Sequence, residues 1–157
     1  MAKLDFDEFV RTHIGKKYGS GQCVAGYNEY CYWLGITPNG GNAKDLWNGG
    51  HQDGCKTIYS WNELQKGDII IWDGTLGFGY GHVAMFDHWS NGVGGAAVVF
   101  GQNQGADANL ESGGPFNFIS IGSAGFSGAF RPDNIKGNKT LWTISVKDGL
   151  IISASVQ

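Results

Sequence analysis

The order of two kinds of hydrophobic periodicity along the chain is the feature that most constrains its fold. Residues 6–14 repeat apolar side chains at the spacing of one helix face, and a second helical pattern begins at Cys23 and stops at Gly35. After residue 60 the apolar runs become short and β-branched, as in buried strands. Helices first and strands afterwards predict an α+β domain. The predicted strands cover residues 68–72, 82–86, 96–100, 116–121 and 128–131.

Two segments lie outside this pattern. Residues 36–60 are rich in Gly, Asn and Asp and predict mostly loop, with a short helical turn around residues 43–47. The chain also continues past the last predicted strand, as an extra hairpin packed on the domain or as the start of a truncated segment. We therefore predict a domain over residues 1–134 and a C-terminal extension over residues 135–157.

Composition and charge exclude several kinds of partner. The chain has 157 residues, of which 41% are hydrophobic and 16% charged, as expected for one globular domain. A net charge of -3 without a basic stripe argues against nucleic acid and against an anionic membrane. No apolar run approaches the roughly 20 residues that a spanning helix needs. The acidic start of the sequence also predicts that no secretion signal is present.

Cys23 is the candidate nucleophile. An odd number of cysteines, 3, excludes a complete disulfide framework and leaves at least one free thiol. Cys23 falls at the first turn of the second predicted helix, where unpaired N–H groups and the helix dipole favour a thiolate. The same amides can hold a developing oxyanion, and the Gln22 side chain is a candidate additional donor.

The other two cysteines are expected to be structural. Cys31 lies about 12 Å further along the same helix, too far for a disulfide with Cys23, and is predicted to be core. Cys55 follows His51 and Asp53 in a glycine-rich segment. These three residues are one short of the four ligands of a structural zinc site, so a solvated loop and no metal are predicted there.

His82 is the candidate general base. It opens a predicted strand directly after residues 77–81 (Gly-Phe-Gly-Tyr-Gly), whose glycines allow close approach of a substrate backbone. A rigid strand end beside an open loop suits a base. The imidazole also needs an orienting group, and the end of the neighbouring strand offers Asn103 or Gln102. Strand alternation allows only one of these two amides to point at His82.

The remaining histidines fit other roles. His13 lies on the apolar face of the first helix and is predicted to be a core or boundary residue. His51 lies in a loop without an orienting group. His88 follows a strand, where it is exposed or paired with Asp87.

Together these residues resemble the CHAP family, the cysteine, histidine-dependent amidohydrolase/peptidase domains of phage endolysins and bacterial wall hydrolases. The resemblance covers roughly residues 4–133, with every segment in the family's order. The segments are 18–23 (Tyr-Gly-Ser-Gly-Gln-Cys, one residue longer than the family's Tyr-Gly-x-Gln-Cys), 64–72, 79–84 (Gly-Tyr-Gly-His-Val-Ala), 102–103 and 129–132.

The resemblance implies a papain-like fold, with N-terminal helices carrying the Cys packed against an antiparallel sheet or half-barrel carrying the His and Asn. It implies a peptidoglycan hydrolase without a cofactor, either an N-acetylmuramoyl-L-alanine amidase or a peptide or cross-bridge endopeptidase. Cys23 would attack, His82 would transfer the proton and Asn103 would orient the imidazole. A phage lysin, released to or delivered at the wall, is expected to be a monomer or to combine with a separate wall-binding domain or subunit.

The sequence departs from the family's pattern in two respects. Gly101 stands where many members have glutamate, which leaves the orienting role to an amide. Lys16, Lys17 and Ala25 stand where some members carry calcium-binding acidic residues, so we predict no calcium site.

The sequence also predicts a substrate groove, and it leaves two alternative functions open. Tyr80, Phe78, Trp72 and Gln102 are the candidate substrate-binding residues. A cysteine acyltransferase on the same scaffold would use the same residues. A non-catalytic wall-binding module with a degenerate site is the other alternative.

Overall fold

The computed structural model describes residues 2–137, 142–147 and 150–156, with side chains placed for residues 2–137. Two α-helices come first, α1 (Phe6–His13) and α2 (Cys23–Leu34), and the strands follow. The strands are β1 (Cys55–Ile58), β2 (Ile69–Trp72), β3 (His82–Trp89), β4 (Ala97–Gly101), β5 (Asn117–Ile121), β6 (Phe126–Pro132), β7 (Trp142–Lys147) and β8 (Leu150–Val156). Short 3-10 helices lie at Ala43–Gly50, Trp61–Glu63, Gly77–Gly79 and Gly105–Asp107.

Local sequence signals set the helix ends. The Asp5 carboxylate accepts a hydrogen bond from the Asp7 amide at 3.0 Å and caps α1. Gly35 ends α2 in the left-handed conformation at φ 78°, where its N–H bonds back to the carbonyls of Cys31 and Tyr32. Both helices therefore begin and end within two residues of the predicted positions.

Strands β1 to β6 form one antiparallel sheet in the order β1-β6-β2-β3-β4-β5. The β2–β3 pairing places Trp72 opposite His82, so the start of β3 lies beside the end of β2. Strands β7 and β8 pair with each other in an antiparallel two-stranded sheet. Among the described helices, none is long and apolar enough to cross a membrane.

The central strands β2, β3 and β4 of the six-stranded sheet are largely buried on both faces. On one face Ile69, Ile71 and Met85 pack against α1 and α2 around Phe9 and Tyr30. On the other face Ile70, Trp72 and Phe86 pack under Trp61 and Leu64. Because side chains alternate along a strand, continuous apolar runs such as 69–71 are what a sheet covered on both sides requires. The α+β prediction is confirmed.

One strand was not predicted. Residues 55–58 were expected to be loop, and they form β1, which pairs with β6 at the edge of the sheet. The segment Cys-Lys-Thr-Ile is short, follows a glycine-rich stretch and gains its order from the long-range pairing with β6. Local sequence carries little information about such a contact.

Candidate active site

A cleft of about 670 Å³ lies between the N-terminus of α2, the loop before β3 and the loop after β4. Cys23 and His82, predicted as nucleophile and base from positions far apart in the chain, both line it. The other lining residues are Gln22, Val24, Gly41, Asn42, Ala43, Gly77, Phe78, Tyr80, Gly81, Asn103, Ala108 and Leu110.

Cys23 is the first residue of α2. The backbone N–H groups of Cys23, Val24 and Val83 all approach its sulfur. These donors lower the pKa of the thiol, as the sequence predicted for a helix N-terminus, but burial outweighs them and the net pKa is raised. Cys23 packs against the core cluster that contains Val83, the residue after His82, so the thiol lies near the first residues of β3.

His82 is 8% exposed and begins β3 beside Trp72, whose indole lies 5.7 Å from the imidazole between ring centroids. The residue before it is a glycine because the chain is both left-handed and crowded there. Gly81 has φ 83°, and a Cβ would lie 2.5 Å from the Trp72 carbonyl oxygen and 2.6 Å from the Lys44 nitrogen. Burial lowers the pKa of His82 and a hydrogen bond to Gln104 partly offsets this.

Gln104 is the amide that contacts the imidazole. Its Oε1 lies 2.8 Å from His82 Nε2. Its Nε2 donates to the carbonyl oxygens of Val99 at 3.2 Å and Asn117 at 2.9 Å, which uses both amide hydrogens. The oxygen must therefore face His82 and accept from Nε2–H. In neutral His82 this leaves Nδ1 as the unprotonated nitrogen.

The expected contact of His82 with Asn103 or Gln102 is not formed. The expectation assumed that strand alternation continues to residue 103, but β4 ends at Gly101 and Asn103 is left-handed at φ 56°. Asn103 instead donates to Gln22 Oε1 at 2.7 Å and accepts from the Asn109 amide at 2.7 Å. The chain then folds back, and Gln104 takes the place beside the imidazole. No local sequence signal distinguishes Gln104 from the two amides before it.

Gln102 is completely buried and does not line the cleft. Its side chain accepts from the Tyr18 amide at 2.7 Å and donates to the carbonyls of Tyr18 at 3.2 Å and Gln22 at 3.1 Å. It fixes the loop that leads into Cys23, so the prediction that it binds substrate is wrong.

Gln22 joins the two walls of the cleft. Its Oε1 accepts from Asn103, and its Nε2 donates to the Leu110 carbonyl at 3.0 Å. A primary amide has two N–H bonds, so the second Nε2 hydrogen remains for another acceptor. The side chain lines the cleft next to Cys23, as an additional oxyanion donor requires.

The predicted aromatic residues divide into two groups. Phe78 and Tyr80 line the cleft and are 86% and 54% exposed. Trp72 is completely buried, and its indole N–H donates to the Gly122 carbonyl at 3.1 Å. Trp72 packs beside His82 and does not reach the cleft, so the prediction that it binds substrate is wrong.

The remaining cysteines and histidines lie outside the cleft. Cys31 is completely buried and His13 is buried against Glu29, both as predicted. Cys55 is half-buried in β1, which corrects the solvated loop expected there, and burial raises its pKa. His51 bonds to Asp53 at 3.0 Å at the surface. Within the described residues, no group of three or more His, Cys, Asp or Glu side chains is placed to hold a metal.

A half-buried thiol at a helix N-terminus, packed against the start of an antiparallel strand that presents a histidine, defines a domain of papain-like architecture. Residues 13–104 match the CHAP domain, and the chain belongs to that family. Among solved structures it is similar to the wild-type endolysin LysIME-EF1, with a TM-score of 0.68 and 25% sequence identity. The match covers 87% of this chain and 66% of the endolysin chain, so the present chain spans just under two thirds of that protein.

Proposed function

We propose that this protein is a peptidoglycan hydrolase that cleaves an amide bond through Cys23 and His82, in the manner of a phage lysin. The observation that carries the proposal is that one cleft brings together a thiol from the start of α2 and an imidazole from the start of β3. The CHAP family and the endolysin neighbour support peptidoglycan as the substrate and the wall as the place of action.

In the proposed reaction Cys23 Sγ attacks the carbonyl carbon of the scissile amide while its proton passes to His82 Nδ1. The tetrahedral oxyanion is stabilised by the backbone amides of Cys23 and Val24 and by the second Nε2 hydrogen of Gln22. His82 then protonates the leaving nitrogen, which departs as an amine and leaves a thioester. Water, deprotonated by His82, hydrolyses the thioester and regenerates the thiol.

Gln104 takes the orienting role in this proposal. By accepting from Nε2–H it holds the imidazole in the tautomer whose Nδ1 can receive the proton. An amide carries no charge, so it stabilises the imidazolium less than a carboxylate would. Burial lowers the pKa of His82 and raises that of Cys23, which favours an uncharged pair before substrate binds. Proton transfer would then accompany attack, with His82 as a general base.

Phe78 and Tyr80 are proposed to hold the substrate. They are exposed on one side of the cleft, with Leu110, which is 60% exposed, also lining it. Phe78 adopts a left-handed conformation at φ 56°, which is uncommon for a bulky residue. A strained aromatic residue at a cleft suggests a binding role.

The first test compares the fragments that the protein and its Cys23→Ala variant release from purified Gram-positive peptidoglycan. New amine termini identified by mass spectrometry should fall at least about a thousandfold with the variant. They would also name the bond, and so distinguish an amidase from an endopeptidase.

Cys55→Ala is the matched control for this test. It removes another half-buried thiol that lies outside the cleft, and it should release the same fragments as the unaltered protein. Equal release by the protein and Cys23→Ala would exclude the thiol mechanism. Binding to the wall without release by either would instead favour a wall-binding module.

A further inference from the structure

Among residues 2–137, whose side chains the structure describes, none that lines the cleft carries a fixed charge. None of the 14 residues that line it is Asp, Glu, Lys or Arg. Its polar groups are the amides of Gln22, Asn42 and Asn103, the Tyr80 hydroxyl and the two reacting groups. A pocket with this lining offers hydrogen bonds to a neutral substrate but no counter-ion to a charged one.

The reacting groups do not supply a charge either. Burial disfavours both the thiolate of Cys23 and the imidazolium of His82, so both pKa shifts favour an uncharged pair. The hydrogen bond to Gln104 raises the pKa of His82 but offsets burial only in part, so the net shift still disfavours the imidazolium. Cys23 and His82 therefore add no compensating charge to the uncharged residues that line the cleft with them.

Charged side chains flank the lining residues in sequence but do not line the cleft. Lys17, which is exposed, lies against Gly21 beside Gln22 and donates to the Ser112 carbonyl at 3.3 Å. Lys44, Asp45, Asp107 and Glu111 are neighbours in sequence of lining residues, and all four are exposed. The Asp45 carboxylate already accepts from the Asn42 backbone N–H at 2.9 Å. Charges at such exposed positions are surrounded by water and screened by salt, so they compensate little for a charge inside the cleft.

We propose that the cleft selects a stretch of substrate that is uncharged on both sides of the scissile amide. This inference rests on the proposed function and adds the class of substrate. A charged group that enters a site without a partner loses its hydration and gains no ion pair in return. The apolar side chains of Phe78, Leu110 and Val24 further favour a neutral ligand.

In peptidoglycan, two modifications of the stem peptide decide whether the groups beside a bond are charged or neutral. A D-glutamate residue in the stem peptide carries a carboxylate, which amidation to D-isoglutamine removes. The side-chain amine of the diamino acid is charged when free and neutral once it forms an amide in a cross-link. The proposed substrate class is therefore the amidated and cross-linked form of the stem, in which the residues beside the cut bond are neutral.

The test begins with the bond identified on whole walls by mass spectrometry. Two fragments are then prepared that differ only in the charge nearest that bond, as an amidated and a free carboxylate or as an acylated and a free amine. We expect kcat/KM for the neutral fragment to exceed that for the charged fragment at least tenfold.

A charge placed in the cleft should reduce this preference. Leu110→Lys offers a partner to a carboxylate and Leu110→Glu to an ammonium, and either change concerns an exposed side chain whose backbone contact to Gln22 is kept. The variant whose new charge is opposite to that of the charged fragment should reduce the ratio of kcat/KM, neutral over charged fragment, several-fold. Val93→Lys or Val93→Glu, at a residue 72% exposed and outside the cleft, should leave the ratio unchanged.

The outcomes separate the two proposals. Equal kcat/KM for both fragments, with wall cleavage intact, would overturn the neutral-substrate inference and leave the hydrolase proposal standing. A ratio that changes as much with the Val93 variant as with the Leu110 variant would also overturn it. Failure to cut any wall or fragment would overturn the proposed function itself.

Discussion

At the scale of single residues, the side chain that distinguishes this site is Gln104. A Cβ at Gly101 would lie 3.1 Å from Gln104 Oε1 and 3.0 Å from the Ala84 Cβ. The Gln104 amide therefore occupies the space that a side chain at position 101 would need. Gly101, where many family members have glutamate, therefore leaves the room that Gln104 occupies beside His82.

Replacing Gln104 by alanine should lower kcat/KM about 10- to 100-fold, a part of the 10²–10⁴ that a positioned base supplies. Its hydrogen bond raises the pKa of His82, so the acidic limb of the activity profile should also move to lower pH in Gln104→Ala. Asn103→Ala, which removes an amide that does not contact His82, should leave the midpoint of that limb in place. An equal shift in both variants would contradict the assignment of Gln104 as the positioning residue.

In the proposed mechanism, the burial of His82 sets the acidic limit of activity of the unaltered protein. A general base acts when it is neutral, and burial moves its pKa below the ordinary value of 6.5. As pH falls, His82 then remains neutral to a lower pH than an exposed histidine. The acidic limb of kcat/KM on a soluble fragment should therefore have its midpoint below 6.5. A midpoint above that value would contradict the lowered pKa of His82 and show that burial does not control its protonation.

At the scale of secondary structure elements, a buried ion pair joins the start of β2 to β6. Asp68 is completely buried, and Arg131 donates to its two carboxylate oxygens at 2.9 and 2.8 Å. The backbone N–H of Gln65 donates to the same carboxylate at 2.8 Å. Burial raises the pKa of Asp68 and Arg131 opposes this, so the charged carboxylate depends on its partner. The pair fixes the end of the sheet opposite the cleft.

Removing one partner of this pair should lower the stability of the fold strongly. Arg131→Ala leaves a buried carboxylate unpaired, and we expect the free energy of unfolding, measured in urea, to fall by roughly 3–5 kcal/mol. The double variant Asp68→Asn, Arg131→Ala should be less destabilised than the sum of the single changes, because it buries no lone charge. A loss below about 1 kcal/mol in Arg131→Ala would indicate that the pair behaves like an exposed one.

At the scale of the whole molecule, the fold brings Cys23 and His82 into one cleft by joining distant segments. Antiparallel pairing of β2 with β3 brings His82 beside Trp72, and α2 packs its first residue against the same strand end. The loop after β4 closes the other side through Gln22 and Asn103. Three segments that are each flexible as isolated chain thus form one cleft because the sheet and α2 hold their ends.

The sequence by itself determined what depends on neighbours along the chain. Capping by Asp5, the stop at Gly35 and the apolar runs of β2 to β6 are local signals. The choice of Cys23 and His82 as reacting groups, from their positions at element ends, stays a prediction. The division at residue 134 remains a prediction. The path of the chain after residue 101 could not be predicted, because the turn at Asn103 and the return of Gln104 depend on contacts to Gln22, Asn117 and His82.

Only the tertiary structure decided which amide contacts His82 and which aromatic residues reach the cleft. It also decided the direction in which burial shifts the pKa values of Cys23 and His82. Trp72 and Phe78 are both aromatic neighbours of the site in sequence, yet one is covered on all sides and the other is open to solvent. The physical reason is that exposure and hydration are properties of packed surfaces. They are set by residues far away in the chain, which a local pattern does not contain.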